Sequence, residues 1–203
     1  MGRGQFGVWV AAVLSLGGAF SLPARSEDER VVLPVVFHVA RDERDAPVAG
    51  ARFLAVELAS ANDVFAPLAV QFELKKTLSL PPGHASVVTR EDRDAMLTYV
   101  RPGAIHCMVV GRLLDVDTPG RVRRGVHWYA EEQQRPHMLI LSTGSEPRVL
   151  AHELGHYLGL PEHRQVAGNI MSYLWGEGIP RFDADQALRV KRTLARFKRN
   201  REL

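Results

Sequence analysis

His152-Glu153-Leu154-Gly155-His156 sets two imidazoles four residues apart, with a carboxylate directly after the first. On a helix that spacing separates the histidines by only about 40° of rotation, so the rings project side by side. Two neutral imidazoles so placed can each give a nitrogen to one tetrahedral zinc ion at roughly 2.0–2.1 Å. Glu153 sits about 100° round from His152 and about 60° from His156. Its carboxylate therefore falls beside such a metal rather than on it, where it can take a proton from an activated water. Gly159 follows three residues after His156, where a helix carrying two ligands must stop and turn. Beyond it stand two candidates for a third ligand, Glu162 and then His163. An amphipathic helix with two incidental histidines is the bland alternative, and the glycine with a further ligand candidate argues against it.

The run His-Glu-x-x-His-x-x-Gly, followed downstream by Asn169-Ile170-Met171-Ser172-Tyr173, resembles the signature of the metzincin zinc peptidases. The likeness is strong over the C-terminal quarter and loose in the middle of the chain. Matrixins, astacins and pappalysins carry a histidine three residues after the glycine, where this chain has Glu162. Snapalysin-like enzymes show a similar Leu-Pro-acid-His run and use the acidic residue, which favours Glu162. Counting back from Met171 favours His163 with one inserted residue, and imidazole is the commoner zinc partner. His163 is the preferred third ligand, with Glu162 held as the alternative. The resemblance further implies that Met171 packs beneath the metal. Tyr173 is similar to the astacin and serralysin tyrosine that approaches the zinc, which makes it either a donor to the oxyanion of the tetrahedral intermediate or a pocket-wall aromatic. Leu174 and Trp175 would line the pocket for the side chain after the cut.

The elements that must hold these residues can be read from periodicity. Val31 to Ala40 is an apolar, β-rich run and reads as a buried strand. Leu54, Leu58, Ala61 and Phe65 make the stripe of a helix packed on a sheet, and Ala69 to Lys75 alternates as a second strand. Strand, helix, strand in that order predicts a crossover onto a parallel pair, an opening loosely similar to pappalysin-type metzincins. Thr89 opens a short helix with Asp92 at the capping-box position. Ala104–Val110, Arg124–Tyr129 and His137–Ser142 read as further strands, with a turn at Asp115–Gly120. Ser145-Glu146-Pro147 signals the start of the histidine-bearing helix. Asp183 or Asp185 caps a last helix whose buried stripe is Val190, Leu194 and Phe197. The fold expected is α/β and metzincin-like. The resemblance implies a twisted, five-stranded mixed sheet, mostly parallel, with one antiparallel edge strand at 125–129, an active-site helix and a small C-terminal subdomain. By the resemblance, that edge strand rims a cleft in which an extended peptide adds as a further strand.

The 203 residues suit one domain, and a formal charge of +3 is too small to argue for nucleic acid. The single cysteine, Cys107, excludes an intramolecular disulfide framework and reads as a small buried hydrophobe. Arg3, the uncharged Phe6–Phe20 stretch and Ser21-Leu22-Pro23-Ala24 have the order of a cleaved signal peptide. The division expected is therefore residues 1–24 as leader and 31–203 as catalytic domain, secreted or periplasmic, with no stable membrane span after cleavage. The function expected is a monomeric, zinc-dependent metalloendopeptidase acting on peptide or protein substrates. A zinc hydrolase of a non-peptide amide and a catalytically silent peptide-binding domain are the rivals. Asp115 and Asp117 are a weak calcium signal, His127 is the remaining histidine worth watching because it borders the cleft, and the basic last helix reads as a solvated face.

Overall fold

The computed structural model describes residue 1 and residues 30–129, 136–174, 176–200 and 202–203. Apart from Met1, the expected leader lies outside them, as does Trp175. The run of β-branched residues at the start of the domain forms strand β1 (Val31–Val39), and α1 (Ala51–Phe65) carries the chain across to β2 (Val70–Ser79). Next come the short β3 (Ser86–Val87), α2 (Arg90–Leu97), β4 (Ile105–Val110), the short β5 (Arg112–Leu113), β6 (Gly125–Tyr129) and β7 (His137–Ser142). Two helices complete the chain, α3 (Val149–Tyr157) and α4 (Ala184–Asn200).

The main sheet has five strands in the order β2-β1-β4-β7-β6. β1 pairs parallel with both β2 and β4, β4 pairs parallel with β7, and β6 runs antiparallel along β7 at the edge. This is the mixed sheet with one antiparallel edge strand that the metzincin resemblance implies. A second sheet, β3 with β5, was not expected. Two residues per strand carry no readable alternation, and the pairing brings together segments about 25 residues apart.

Helices cover both faces of the central strands, which explains why β1 and β4 read as unbroken apolar runs. Val35, Phe37, Val39, Ile105, Cys107, Val109, Leu139 and Leu141 share one cluster with residues of α1, α3 and α4. Met108, Val110, Met138 and Ile140 point the other way, toward Leu80, Met96 and Leu97. Thr89 caps α2 as predicted: its hydroxyl accepts from Asp92 N–H at 3.1 Å, and the Asp92 carboxylate accepts from Thr89 N–H at 2.9 Å. Asp183 likewise accepts from Gln186 N–H at 2.8 Å ahead of α4.

The start of α3 differs from expectation. The helix begins at Val149 without a local side-chain cap, and the Ser145 hydroxyl donates instead to Glu57 Oε1 at 2.6 Å. Glu57, one of the deeply buried acids at 1% exposure, also accepts from Leu150 N–H through Oε2 at 3.3 Å. A carboxylate from α1 thus satisfies an orphan donor at the positive end of α3. Burial raises the carboxyl pKa, and the two hydrogen bonds oppose that rise. Among the described residues no helix is long and apolar enough to cross a membrane.

Candidate metal centre

Leu150, Leu154 and Leu158 are fully buried on the sheet side of α3. That face fixes the roll of the helix, so His152 and His156 project from its opposite side. The helix ends at Tyr157 with Leu158 as its cap, and the chain turns at Gly159, whose φ of +94° suits a residue without Cβ. Gly159 N–H donates to the His156 carbonyl at 3.0 Å and Leu160 N–H to the Gly155 carbonyl at 3.0 Å. The chain reverses there and returns His163 to the helix. Arg164 N–H donates to the Met171 carbonyl at 2.7 Å, joining this returning segment to the methionine turn.

The three imidazoles meet at their Nε2 atoms. His163 Nε2 lies 3.2 Å from that of His152 and 3.3 Å from that of His156. One ligand nitrogen from each of the three residues falls within 4.8 Å of the others. Glu162 is exposed and borders a separate small depression with Arg164 and Gln186. The structure therefore brings His163 to the histidine pair and leaves Glu162 outside it.

The second ring nitrogens decide what this cluster can hold. His152 Nδ1–H donates to the Ile170 carbonyl at 2.8 Å and His156 Nδ1–H to the Leu160 carbonyl at 2.7 Å. Those bonds set the tautomers and aim unprotonated Nε2 lone pairs into one space. Burial keeps the rings neutral: it lowers His152 to about 4 and His156 to about 3, and it also lowers His163. Three lone pairs facing one another repel unless a cation lies between them. A tetrahedral zinc with nitrogens at roughly 2.0–2.1 Å has ligand–ligand edges of about 3.3 Å, which matches both separations. The donor set fits zinc.

Glu153 is almost fully buried at 6% exposure. Burial pushes its carboxyl up to about 8, against the opposing pull of the His127 backbone N–H and the Arg123 charge. Gly125 at the start of β6 makes this packing possible. A Cβ there would stand 2.5 Å from Val149 Cγ1 and 2.8 Å from both Cγ and Oε1 of Glu153. Gly155 does the same for Met171, whose Sδ would be 2.6 Å from a Cβ at that position. Met171, fully buried, packs directly against the helix between the two histidines. Neither glycine stood out in the sequence, because neither has a turn or a positive φ to mark it.

The methionine turn is held by a closed pair of amides. Asn169 Nδ2 donates to Gln186 Oε1 at 2.9 Å and Gln186 Nε2 returns a bond to Asn169 Oδ1 at 3.0 Å. Asn169 Oδ1 also accepts from Met171 N–H at 2.9 Å. Tyr173 stacks on His163 with centroids 4.4 Å apart and is 53% exposed. Leu174 is also exposed. His152, Glu153 and Tyr173 line a cleft of about 230 Å³ whose other wall is the segment 121–125. His127 packs behind it, its Nε2 2.9 Å from His137 Nδ1. Asp115 and Asp117 are engaged by protein groups: Asp115 accepts from Asp117 N–H and from Arg123, and Asp117 pairs with Arg90. A larger cavity of about 370 Å³, beside Tyr157 and His137, contains none of the three clustered histidines.

This architecture is the metzincin-like α/β fold. The chain superposes on the crystal structure of metalloproteinase-II from Bacteroides fragilis with a TM-score of 0.57 and 16% identity, over 81% of this chain and 54% of that one. It therefore spans about half the length of that protein. It also superposes on archaemetzincin from Methanopyrus kandleri with a TM-score of 0.51 and 18% identity, over 86% of this chain and 99% of the other. No protein-family model and no curated protein matches the sequence.

Proposed function

We propose that the protein is a zinc-dependent metallopeptidase in which His152, His156 and His163 hold the metal and Glu153 is the general base. The observation that carries this reading is the convergence of three Nε2 atoms, two of them from rings locked by Nδ1–H bonds to backbone carbonyls. A metzincin-like fold shared with a metalloproteinase and an archaemetzincin supports it. Zinc held there supplies a Lewis acid that polarises a carbonyl and acidifies water. Glu153, buried in the cleft wall beside His152, takes the proton of the attacking water and delivers it to the departing amine. Tyr173, whose ring stacks on that of His163, is in this reading either a donor to the oxyanion that develops on the scissile carbonyl or an aromatic wall of the pocket. β6, an edge strand, offers backbone groups to an extended peptide. The buried carboxylate of Glu153 speaks against a silent binding module, since a structural metal site has no use for a base.

Digestion of a proteome-derived peptide library, with and without a chelator, tests the reading. New termini should appear only with zinc, and Glu153→Ala should retain the metal while losing about 10²–10⁴ in rate. Near-native turnover by that variant would remove Glu153 from the mechanism. We further propose that the protein acts outside the cytoplasm after cleavage near Arg25, on the strength of the leader-like order of residues 3–24. N-terminal sequencing of exported protein checks this, and an intact Met1 terminus would refute it.

A further inference from the structure

One wall of the cleft is unusually basic. Arg121, Arg123 and Arg124 all line it, facing His152 and Glu153. The acids that partner them, Asp115 and Glu146, are not among the lining residues. The three guanidiniums are not equivalent. Arg123 is held by Asp115 at 2.7 and 2.9 Å, and Asp115 is itself buried and turned inward by the loop's own N–H groups. Arg124 leans on Glu146 at 3.6 Å and donates to the Gly144 carbonyl at 2.6 Å. Among the described residues Arg121 reaches only the already engaged Asp115, at 4.0 Å, and its side chain is 57% exposed.

The backbone that presents Arg121 is fixed on both sides. Asp115 N–H donates to the Arg121 carbonyl at 2.8 Å, and Arg121 N–H to the Thr118 carbonyl at 3.2 Å. Arg123 N–H donates to the Leu113 carbonyl at 2.9 Å, and Ser142 N–H to the Arg124 carbonyl at 2.9 Å. A guanidinium on a rigid support, lining a cleft and short of a carboxylate, recognises planar anions well.

We propose that Arg121 is a specificity-determining residue and that the cleft selects peptides carrying a carboxylate near the scissile bond. This rests on the metallopeptidase reading above. The carboxylate belongs to an Asp or Glu side chain or to the peptide's own C terminus, and both present the same planar anion to Arg121.

The test uses the full chain loaded with zinc and peptides that differ at one position, scanned on both sides of a common cleavage site. Each carries Glu, Gln or Lys there, with the C terminus free or amidated. The Glu peptide should exceed the Gln peptide in kcat/KM by about tenfold at its best position, mainly through KM, and the gap should narrow with added salt. If amidation alone removes the preference, the C terminus supplies the carboxylate. Arg121→Glu should reverse the order and favour Lys, and Arg121→Gln should erase the Glu–Gln gap. Circular dichroism and zinc content confirm that each variant is folded. Equal rates for Glu and Gln peptides at every position, with either terminus, or an order unchanged by both variants, would overturn the proposal. If no peptide is hydrolysed at all, it is the hydrolase reading that fails. Fluorescence anisotropy of the same labelled peptides on the Glu153→Ala chain then decides: about tenfold tighter binding of one carboxylate-bearing peptide supports the selection, and equal binding refutes it.

Discussion

His163 and Glu162 are neighbours in sequence, yet only one of them meets the histidine pair. Removing a true ligand should lower zinc affinity severely, whereas removing a residue outside the ligand set should change it little. His163→Ala is therefore expected to lose at least 100-fold in affinity and Glu162→Ala less than about tenfold; titration against a competing chelator measures both, and the reverse order would hand the role to Glu162. Gly125 makes a second prediction at this scale. Its α-hydrogen faces Val149 and Glu153, and a methyl group there would overlap Glu153 Oε1. Gly125→Ala should displace the carboxylate and lower peptide hydrolysis by about tenfold or more while zinc stoichiometry stays at the native value. Full activity in that variant would mean that the contact can relax without cost.

At the scale of elements, α3 depends on α1 for its beginning. Glu57 supplies the acceptor that local sequence does not, binding both Leu150 N–H and the Ser145 hydroxyl. Truncating it leaves a buried N–H without a partner, a loss of about 1–3 kcal/mol. Urea unfolding of Glu57→Ala should show a destabilisation in that range, and Glu57→Gln, which keeps an acceptor, should recover most of it. Equal losses from both variants would instead point to the charge at the helix terminus. The methionine turn is tied to α4 in a comparable way, by the reciprocal amides of Asn169 and Gln186. Helix, ligand turn and methionine turn are thus fixed to one another by hydrogen bonds rather than by apolar packing alone.

For the molecule as a whole, burying both faces of the sheet places histidines where they resist protonation. His38 on β1 lies with Nε2 2.7 Å from His106 Nδ1 on β4, and His106 Nε2 is 3.0 Å from the Arg101 carbonyl. Burial, with His106 and Arg101 adding repulsion, lowers His38 from 6.5 to about 4. The unfolded chain therefore binds a proton that the folded chain refuses between these values. The associated stability is fully present above pH 6.5 and declines as pH falls toward 4, by about 3 kcal/mol in all. Denaturation of the native chain and of His38→Gln at pH 7 and at pH 4.5 should show a smaller acid loss in the variant. The difference isolates His38 from carboxylates and other histidines titrating in the same window, and identical losses would remove it as a contributor.

Interactions that span four residues or fewer left their mark in the sequence. The paired His152 and His156, the turn at Gly159 and the Thr89–Asp92 cap are all local, and each is found where residue spacing put it. The sequence by itself therefore determined the main strands and helices and the metal-binding motif, though neither the short β3–β5 pair nor the first residue of α3. Tertiary structure alone decided which residue joins that helix, because the path from Gly159 to His163 is set by the bond from Arg164 N–H to the Met171 carbonyl. It also decided that Glu57, 93 residues from Leu150, would cap α3 in place of Ser145. Gly125 and Gly155 are crowded only because another side chain is packed against each of them. In every such case the partners are brought together by closure of the whole chain, and residue spacing along one segment holds no record of an atom arriving from another.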